Sequence, residues 1–180
     1  MLPIVSIVGK SQSGKTTLME QLIAEFKRRG YRVAALKHSR EGMEVDQPGK
    51  DSWRFAQAGS DAVLVSSPGK LALIKSVEHE PDIQEIMRMI GPDFDIILAE
   101  GFKKSNIPKI EVYRRELGSD LLCSHGELSA VIADGSLNSD IVQLPLGDTV
   151  TIADFIEQTF VLKGQGNTVP TSPMREDGQA

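Results

Sequence analysis

The chain has 180 residues, a formal net charge of −5, and hydrophobic and charged fractions of 40% and 25%. That suits a single domain with a substantial core, and the absence of a basic block leaves a nucleic-acid partner without an electrostatic footprint. Cys123 stands alone, which excludes an intrachain disulfide framework or cysteine-rich metal site, and an ordinary thiol near a strand end is its simplest reading. No apolar run approaches bilayer-spanning length and no charged-then-apolar leader precedes the first strand, so no membrane is expected and a reducing, cytoplasmic home fits best.

In chain order, residues 4–8 are short, apolar and β-branched with little alternation, as in a buried parallel strand. Gly9-Lys10-Ser11-Gln12-Ser13-Gly14-Lys15-Thr16 follows, spelling G-x-x-x-x-G-K-T, and an amphipathic stretch from Thr17 to Arg29 comes next. Strand, glycine-rich turn and helix are the context in which this pattern cradles a polyphosphate on backbone N–H groups. Lys15 would meet the β/γ-phosphates, Thr16 would join a Mg²⁺ shell, and Thr17 completes the first turn. Lys10 has two readings, a phosphate contact or a solvent-facing cation.

Leu18, Leu22, Ile23 and Phe26 fall on one helix face and Gly30 is the stop. Residues 31–37 form the next strand, giving a right-handed βαβ unit. Residues 38–50 read as a loop holding His38, Asp46 and Lys50, and residues 53–58 as a short helix opened by Asp51-Ser52. Residues 62–66 and 71–75 are strands around Ser67-Pro68-Gly69; with no helix between them they suggest pairing across subunits. Residues 81–90 are helical with Pro81 in the first turn, and residues 95–99 form a second buried strand. Further strands follow at 109–114 and 129–134, then a helix at 152–162. From Lys163 the composition is Gly-, Pro- and Ser-rich, predicting a disordered tail over 163–180 beyond a nucleotide-binding domain of residues 1–162. The fold class is α/β: a P-loop NTPase-like three-layer α/β/α domain with a mainly parallel sheet.

A P-loop that hydrolyses its nucleotide also needs an acid. Glu100 ends the second buried strand at the sheet edge where ligands bind, which suits it to hold Mg²⁺ or orient water. Asp46 is a second candidate for catalysis and metal binding. Asp51 is read equally as a catalytic or metal-side acid and as a helix cap. Asp134 ends another apolar strand where a base could lie, although strand-terminal Asp is often a turn former. Arg114-Arg115 would serve a kinase lid or simply end a strand.

The segments Gly9 to Thr17, Lys37-His38, Asp46 to Ser52, Ala58-Gly59, Glu100 to Lys103 and Lys109 to Val112 occur in one order. In this the chain resembles the molybdopterin-guanine dinucleotide biosynthesis protein B (MobB) family, from the first strand to about residue 160. The resemblance implies a GTP-binding homodimer with weak GTPase activity, using GTP with Mg²⁺. Its partners would be the molybdenum cofactor guanylyltransferase and molybdopterin. It maps the phosphate-binding residues onto Gly14, Lys15 and Thr16 and the acidic strand end onto Glu100. Where relatives often carry histidines this chain has Ser39-Arg40-Glu41, so a role needing imidazole there is not expected. A non-catalytic adapter and a small-molecule kinase are the competing readings.

Overall fold

The short apolar runs become the strands of one parallel sheet in the computed structural model, which describes residues 2–39, 46–118 and 120–162. In chain order the elements are β1 (Ile4–Gly9), α1 (Lys15–Arg28), β2 (Val33–Lys37), α2 (Asp51–Gln57), β3 (Ala62–Ser67) and β4 (Lys70–Lys75). They continue as α3 (Ile83–Ile90), β5 (Ile96–Glu100), β6 (Lys109–Tyr113), β7 (Leu128–Ala133), β8 (Gln143–Pro145) and α4 (Thr149–Ile156). Two short 3-10 turns, Arg115–Leu117 and His125–Glu127, separate β6 from β7, and α4 runs on in π-type turns over Glu157–Leu162. The predicted tail at 163–180 lies outside the described residues. Contacts divide the molecule into two compact units, one drawn from Met1–Lys37 with Asp93–Ala180 and one from His38–Pro92.

The first unit holds a six-stranded sheet in the order β2-β5-β1-β6-β7-β8, with every neighbouring pair parallel. From β1 the chain passes to the edge strand β2, returns to β5 between β2 and β1, then crosses to the other side for β6, β7 and β8. The strand order therefore switches at the carboxyl end of β1, where open α/β sheets leave a crevice for ligands. Alternation sends Val5, Ile7, Ile96, Leu98, Ile110, Val112 and Ile132 to one face, where they meet Leu22 and Phe26 of α1 and Ile152 and Ile156 of α4. Each large side chain fully buried there contributes about 1.5–3 kcal/mol.

The ends of the elements follow local hydrogen bonding. α1 begins at Lys15, so the P-loop's own Lys and Thr open the helix. Tyr31 is not the start of β2: its N–H closes α1 by donating to the Phe26 carbonyl, and its ring packs edge-on against Phe26 with centroids 5.6 Å apart. α3 begins two residues after Pro81, because Asp82 and Glu85 form a reciprocal capping box that fixes the start at Ile83. The three-residue β8 was not foreseen; it ends in Pro145, which only an edge strand tolerates, and it buries Leu144 alone. α4 starts at Thr149, earlier than its apolar pattern suggests, because the Asp148 side chain accepts from the Thr151 N–H.

In the second unit β3 and β4 pair antiparallel around Pro68-Gly69, with Ser67 opposite Lys70. Leu64 sits opposite Leu73 and Ser66 opposite Leu71, so one hairpin face carries three leucines, each more than half exposed.

Arg29 joins the two helices of the first unit. Its guanidinium meets Glu25 at 2.8 Å, Asp154 at 2.7 Å and Glu157 at 2.6 Å, while the Tyr31 hydroxyl donates to the other Glu157 oxygen. Hydrogen bonds from Arg28 first, and then from Arg29, hold the Glu25 carboxyl at about 2, well below its ordinary 4.5. A depressed carboxylate contributes stability that is complete above the unfolded value and is lost as pH falls through the folded one. Glu25→Gln should therefore lower Tm at neutral pH, with the gap to the parent closing from about pH 5 toward pH 2. Thermal melts across that range test this, and a gap unchanged at pH 2 would mean that packing, not charge, carries the interaction.

Candidate functional site

β1 ends in Gly9, opposite Val112 of the neighbouring β6. A Cβ on Gly9 would lie 2.6 Å from the Val112 carbonyl oxygen and 2.8 Å from Ser13 Oγ, and its φ of +151° lies in the region that favours glycine. The chain then turns through exposed Ser11 and Gln12, the latter at φ +63°. Gly14, at φ +91°, is the N-cap of α1. Leu18 donates to the Gly14 carbonyl, and the amides that precede it on α1 have no partner within the helix. Thr17 sits in that first turn, exposed.

Inside the loop, Ser13 is 1% exposed and its hydroxyl has no hydrogen-bond partner among the described residues. Burial without a partner costs a hydroxyl on the order of 1–3 kcal/mol, so a ligand oxygen at this point would relieve it. Lys15 Nζ folds back to donate to the Lys10 carbonyl at 2.6 Å. Burial draws the Lys15 ammonium below its ordinary range; Glu100 opposes that shift, and Lys103 and Lys37 add to it. Thr16 Oγ1 donates to Glu100 Oε2 at 3.1 Å, and Lys37 Nζ lies 4.0 Å from Glu100 Oε1. A cavity of about 190 Å³ opens beside Thr16 and Glu100, between α1 and β2, and is walled by Met19, Ile23 and Leu36.

The strand end bearing Glu100 is held by its turn. Ser6 Oγ donates to the Gly101 carbonyl at 2.5 Å, and the Gly101 N–H donates to the Ile7 carbonyl at 3.1 Å. Phe102 follows at φ +50°, a left-handed conformation that costs a non-glycine residue about 1 kcal/mol or more. Both the Ser105 N–H and its hydroxyl donate to the Phe102 carbonyl.

The structure thus brings together Gly9, Ser13, Gly14, Lys15, Thr16 and Glu100. Lys10 is anchored to one side, where its ammonium donates to the Leu117 carbonyl at 3.0 Å. Asp134, at the end of β7, accepts from the Arg115 N–H at 3.3 Å. Asp46 and Asp51 belong to the second unit. One Asp46 oxygen accepts from the Gln47 N–H, and the other is buried without a partner among the described residues. Asp51 is not the helix cap: Lys50 occupies that position, and Asp51 is the first residue of α2, with its carboxylate 3.6 Å from Arg54. There its charge complements the positive end of the helix instead. His38 Nε2 meets Glu80 at 2.5 Å within the same unit. Arg40 and Glu41 lie outside the described residues.

Two contacts were not anticipated. Lys37 reaches Glu100 because β2 lies beside β5 with those residues in register, and sequence carries no signal for that adjacency. Arg114 Nε donates to the Ser13 carbonyl at 3.1 Å, because β6 lies beside β1 and delivers Arg114 to the loop. Among the described residues no three His, Cys, Asp or Glu side chains converge on a metal-sized site. A divalent ion at Thr16 and Glu100 would thus draw most of its shell from phosphate and water, as Mg²⁺ commonly does.

A profile described as molybdopterin guanine dinucleotide synthesis protein B matches residues 4–134. The chain is 37% identical over 157 residues to a molybdopterin-guanine dinucleotide biosynthesis adapter protein of Haemophilus influenzae, covering 87% of this chain and 88% of that one. A protein of the same description from Escherichia coli is also 37% identical, covering 87% and 92%. Among solved structures, Bacillus subtilis MobB aligns with a TM-score of 0.71 at 27% identity, covering 88% of this chain and 98% of that one.

The close packing of Gly9 makes a direct expectation. Gly9→Ala should lose about 1–3 kcal/mol of stability in urea unfolding, because its neighbour is strand backbone that cannot yield. Gly126→Ala, at a glycine with open space around its Cβ position, is the control and should stay near the parent value.

Proposed function

This chain belongs to the molybdopterin guanine dinucleotide synthesis protein B family, and on that premise we propose that it is a Mg-GTP-binding adapter in molybdenum-cofactor biosynthesis that hydrolyses GTP slowly at most. The relatives' description as adapter proteins for molybdopterin-guanine dinucleotide biosynthesis supports that role. The observation that carries the nucleotide reading is the unpartnered, buried Ser13 hydroxyl inside a loop whose Lys15 and Thr16 open a helix.

In this reading the loop amides and Lys15 neutralise the β/γ-phosphates. Thr16 and Glu100 would hold Mg²⁺, and Asp46, which lies in the second unit, is a separate candidate acid. Bound Mg²⁺ would spread the charge of the terminal phosphates. Both Glu100 oxygens face partners, Oε2 the Thr16 hydroxyl and Oε1 the Lys37 ammonium, so in this reading the residue holds the ion and not the attacking water, and slow turnover or none follows. The same observation favours the variant of this reading in which GTP is a regulatory ligand only. Arg114 is engaged with the P-loop backbone, which argues against a kinase lid. Asp134 is the proposed acceptor for the guanine N–H groups.

The protein would act as a homodimer beside the guanylyltransferase, with molybdopterin as a further ligand. Support for the dimer comes from the exposed leucine face of the β3–β4 hairpin, a feature that usually marks an interface. No helix among the described residues is long and apolar enough to cross a membrane, and the proposed location is the cytoplasm.

Side-by-side binding of GTP and ATP with Mg²⁺ tests the reading: GTP should bind and ATP should be weak. Lys15→Ala should weaken GTP about tenfold to a hundredfold, as loss of a charge-assisted contact does, without unfolding the protein. Equal affinity in that variant overturns the phosphate assignment. Leu73→Asp should shift the sedimentation coefficient from dimer to monomer, and an unchanged dimer would exclude the hairpin face as the interface.

A further inference from the structure

Arg114 is the last polar residue before the 3-10 turn Arg115–Leu117, and two contacts tie this region to the P-loop. Arg114 Nε donates to the Ser13 carbonyl at 3.1 Å, and Lys10 Nζ donates to the Leu117 carbonyl at 3.0 Å. The fit is close at both points. A Cβ on Gly14 would lie 3.3 Å from the Arg114 guanidinium, and a Cβ on Gly118 would lie 2.8 Å from Lys10 Nζ. The far side of the turn is pinned by Asp134, which accepts from the Arg115 N–H.

A peptide unit is planar and trans, so holding its carbonyl fixes the direction of its N–H. The carbonyl of Ser13 and the N–H of Gly14 belong to one such plane and point opposite ways. With the Ser13 carbonyl held by Arg114, the Gly14 N–H is turned to the other side of the loop. Gly14 itself sits at φ +91°, a conformation open to glycine without strain, so the backbone alone does not fix this peptide and the Arg114 contact does. A planar guanidinium suits this task better than an ammonium, because its donors have fixed directions.

We propose that Arg114 is a positioning residue for the phosphate cradle: by gripping the Ser13 carbonyl it orients the Gly14 N–H toward the phosphates. This rests on the nucleotide reading above and adds to it a residue that lies outside the loop in sequence. Arg114 acts through the Ser13–Gly14 peptide, and its effect falls on the phosphates and not on the base. GTP and inorganic triphosphate should therefore lose affinity by the same factor when it is changed.

The test is titration calorimetry of the full chain with Mg-GTP and, separately, with Mg-triphosphate, alongside ligand-free melting. Arg114→Ala should weaken both ligands about tenfold, the loss of one charge-assisted hydrogen bond. Arg114→Lys keeps the charge and loses the fork, and should recover only part of that affinity. Variants that melt near the parent temperature yet bind both ligands within twofold of it would overturn the proposal. So would loss of GTP affinity with triphosphate affinity intact, since that places the effect at the base. If Arg114→Ala does not fold, the Arg114→Lys measurements decide. A parent chain that binds neither ligand would overturn the nucleotide reading itself, a result distinct from a parent that binds and variants that bind equally.

Discussion

The approach of Gly9 to the Val112 carbonyl is the contact from which the site is built. β1 lies between β5 and β6, so the chain leaving its carboxyl end has backbone on both sides. At Gly9 the clearance to β6 leaves no room for a Cβ. That tightness turns the chain at once into the loop, seals Ser13 beneath it and lets α1 begin six residues later with Lys15. It also sets the loop beside the end of β6, within reach of Arg114.

The buried polar residues among the described ones divide along the same line. Ser6, Lys109 and Glu111 alternate with the apolar residues that meet α1 and α4, so they point to the other face of the sheet. Each is satisfied there by a loop. Ser6 holds the Gly101 carbonyl, Lys109 donates to Ser105 and meets Glu127, and the Glu111 carboxylate accepts the N–H groups of Leu122 and Cys123. Burial pushes the Cys123 thiol up, with Glu111 and Glu127 adding to the effect, which leaves it a poor nucleophile. These side chains anchor loops, and their pairing in the Lys109 to Val112 strand needs no ligand to explain it. Of the four side chains only the Ser13 hydroxyl has no partner among the described residues, and it is the one inside the P-loop.

Charge around the loop is arranged with similar economy. Lys103 and Lys37 each repel the Lys15 ammonium and Glu100 attracts it, while Lys37 also lies 4.0 Å from Glu100. The local balance is cationic in a chain whose net charge is −5, so any field favourable to an anion here is made locally and not by the molecule as a whole.

Much of this was legible before any coordinates. The P-loop, its strand and its helix are contiguous, and the apolar run ending at Glu100 announces a buried strand with an acid at its end. The parallel sheet follows from such strands alternating with helices. What stayed hidden had weak local signals or none. β8 is three residues long and carries a proline; Pro81 was read into α3 because a good N1 residue hid the stronger Asp82–Glu85 box; Asp51 was offered as a cap although Lys50 takes that place. By itself, the sequence determined the chemistry of the cradle, because eight consecutive residues supply its amides, its ammonium and its hydroxyl. Tertiary structure decided which distant residues serve it. Glu100 meets Thr16, Lys37 meets Glu100, and Arg114 grips Ser13 only because β5 and β6 flank β1 and β2 lies beyond β5, and strand order is a property of packing that no local run of residues encodes.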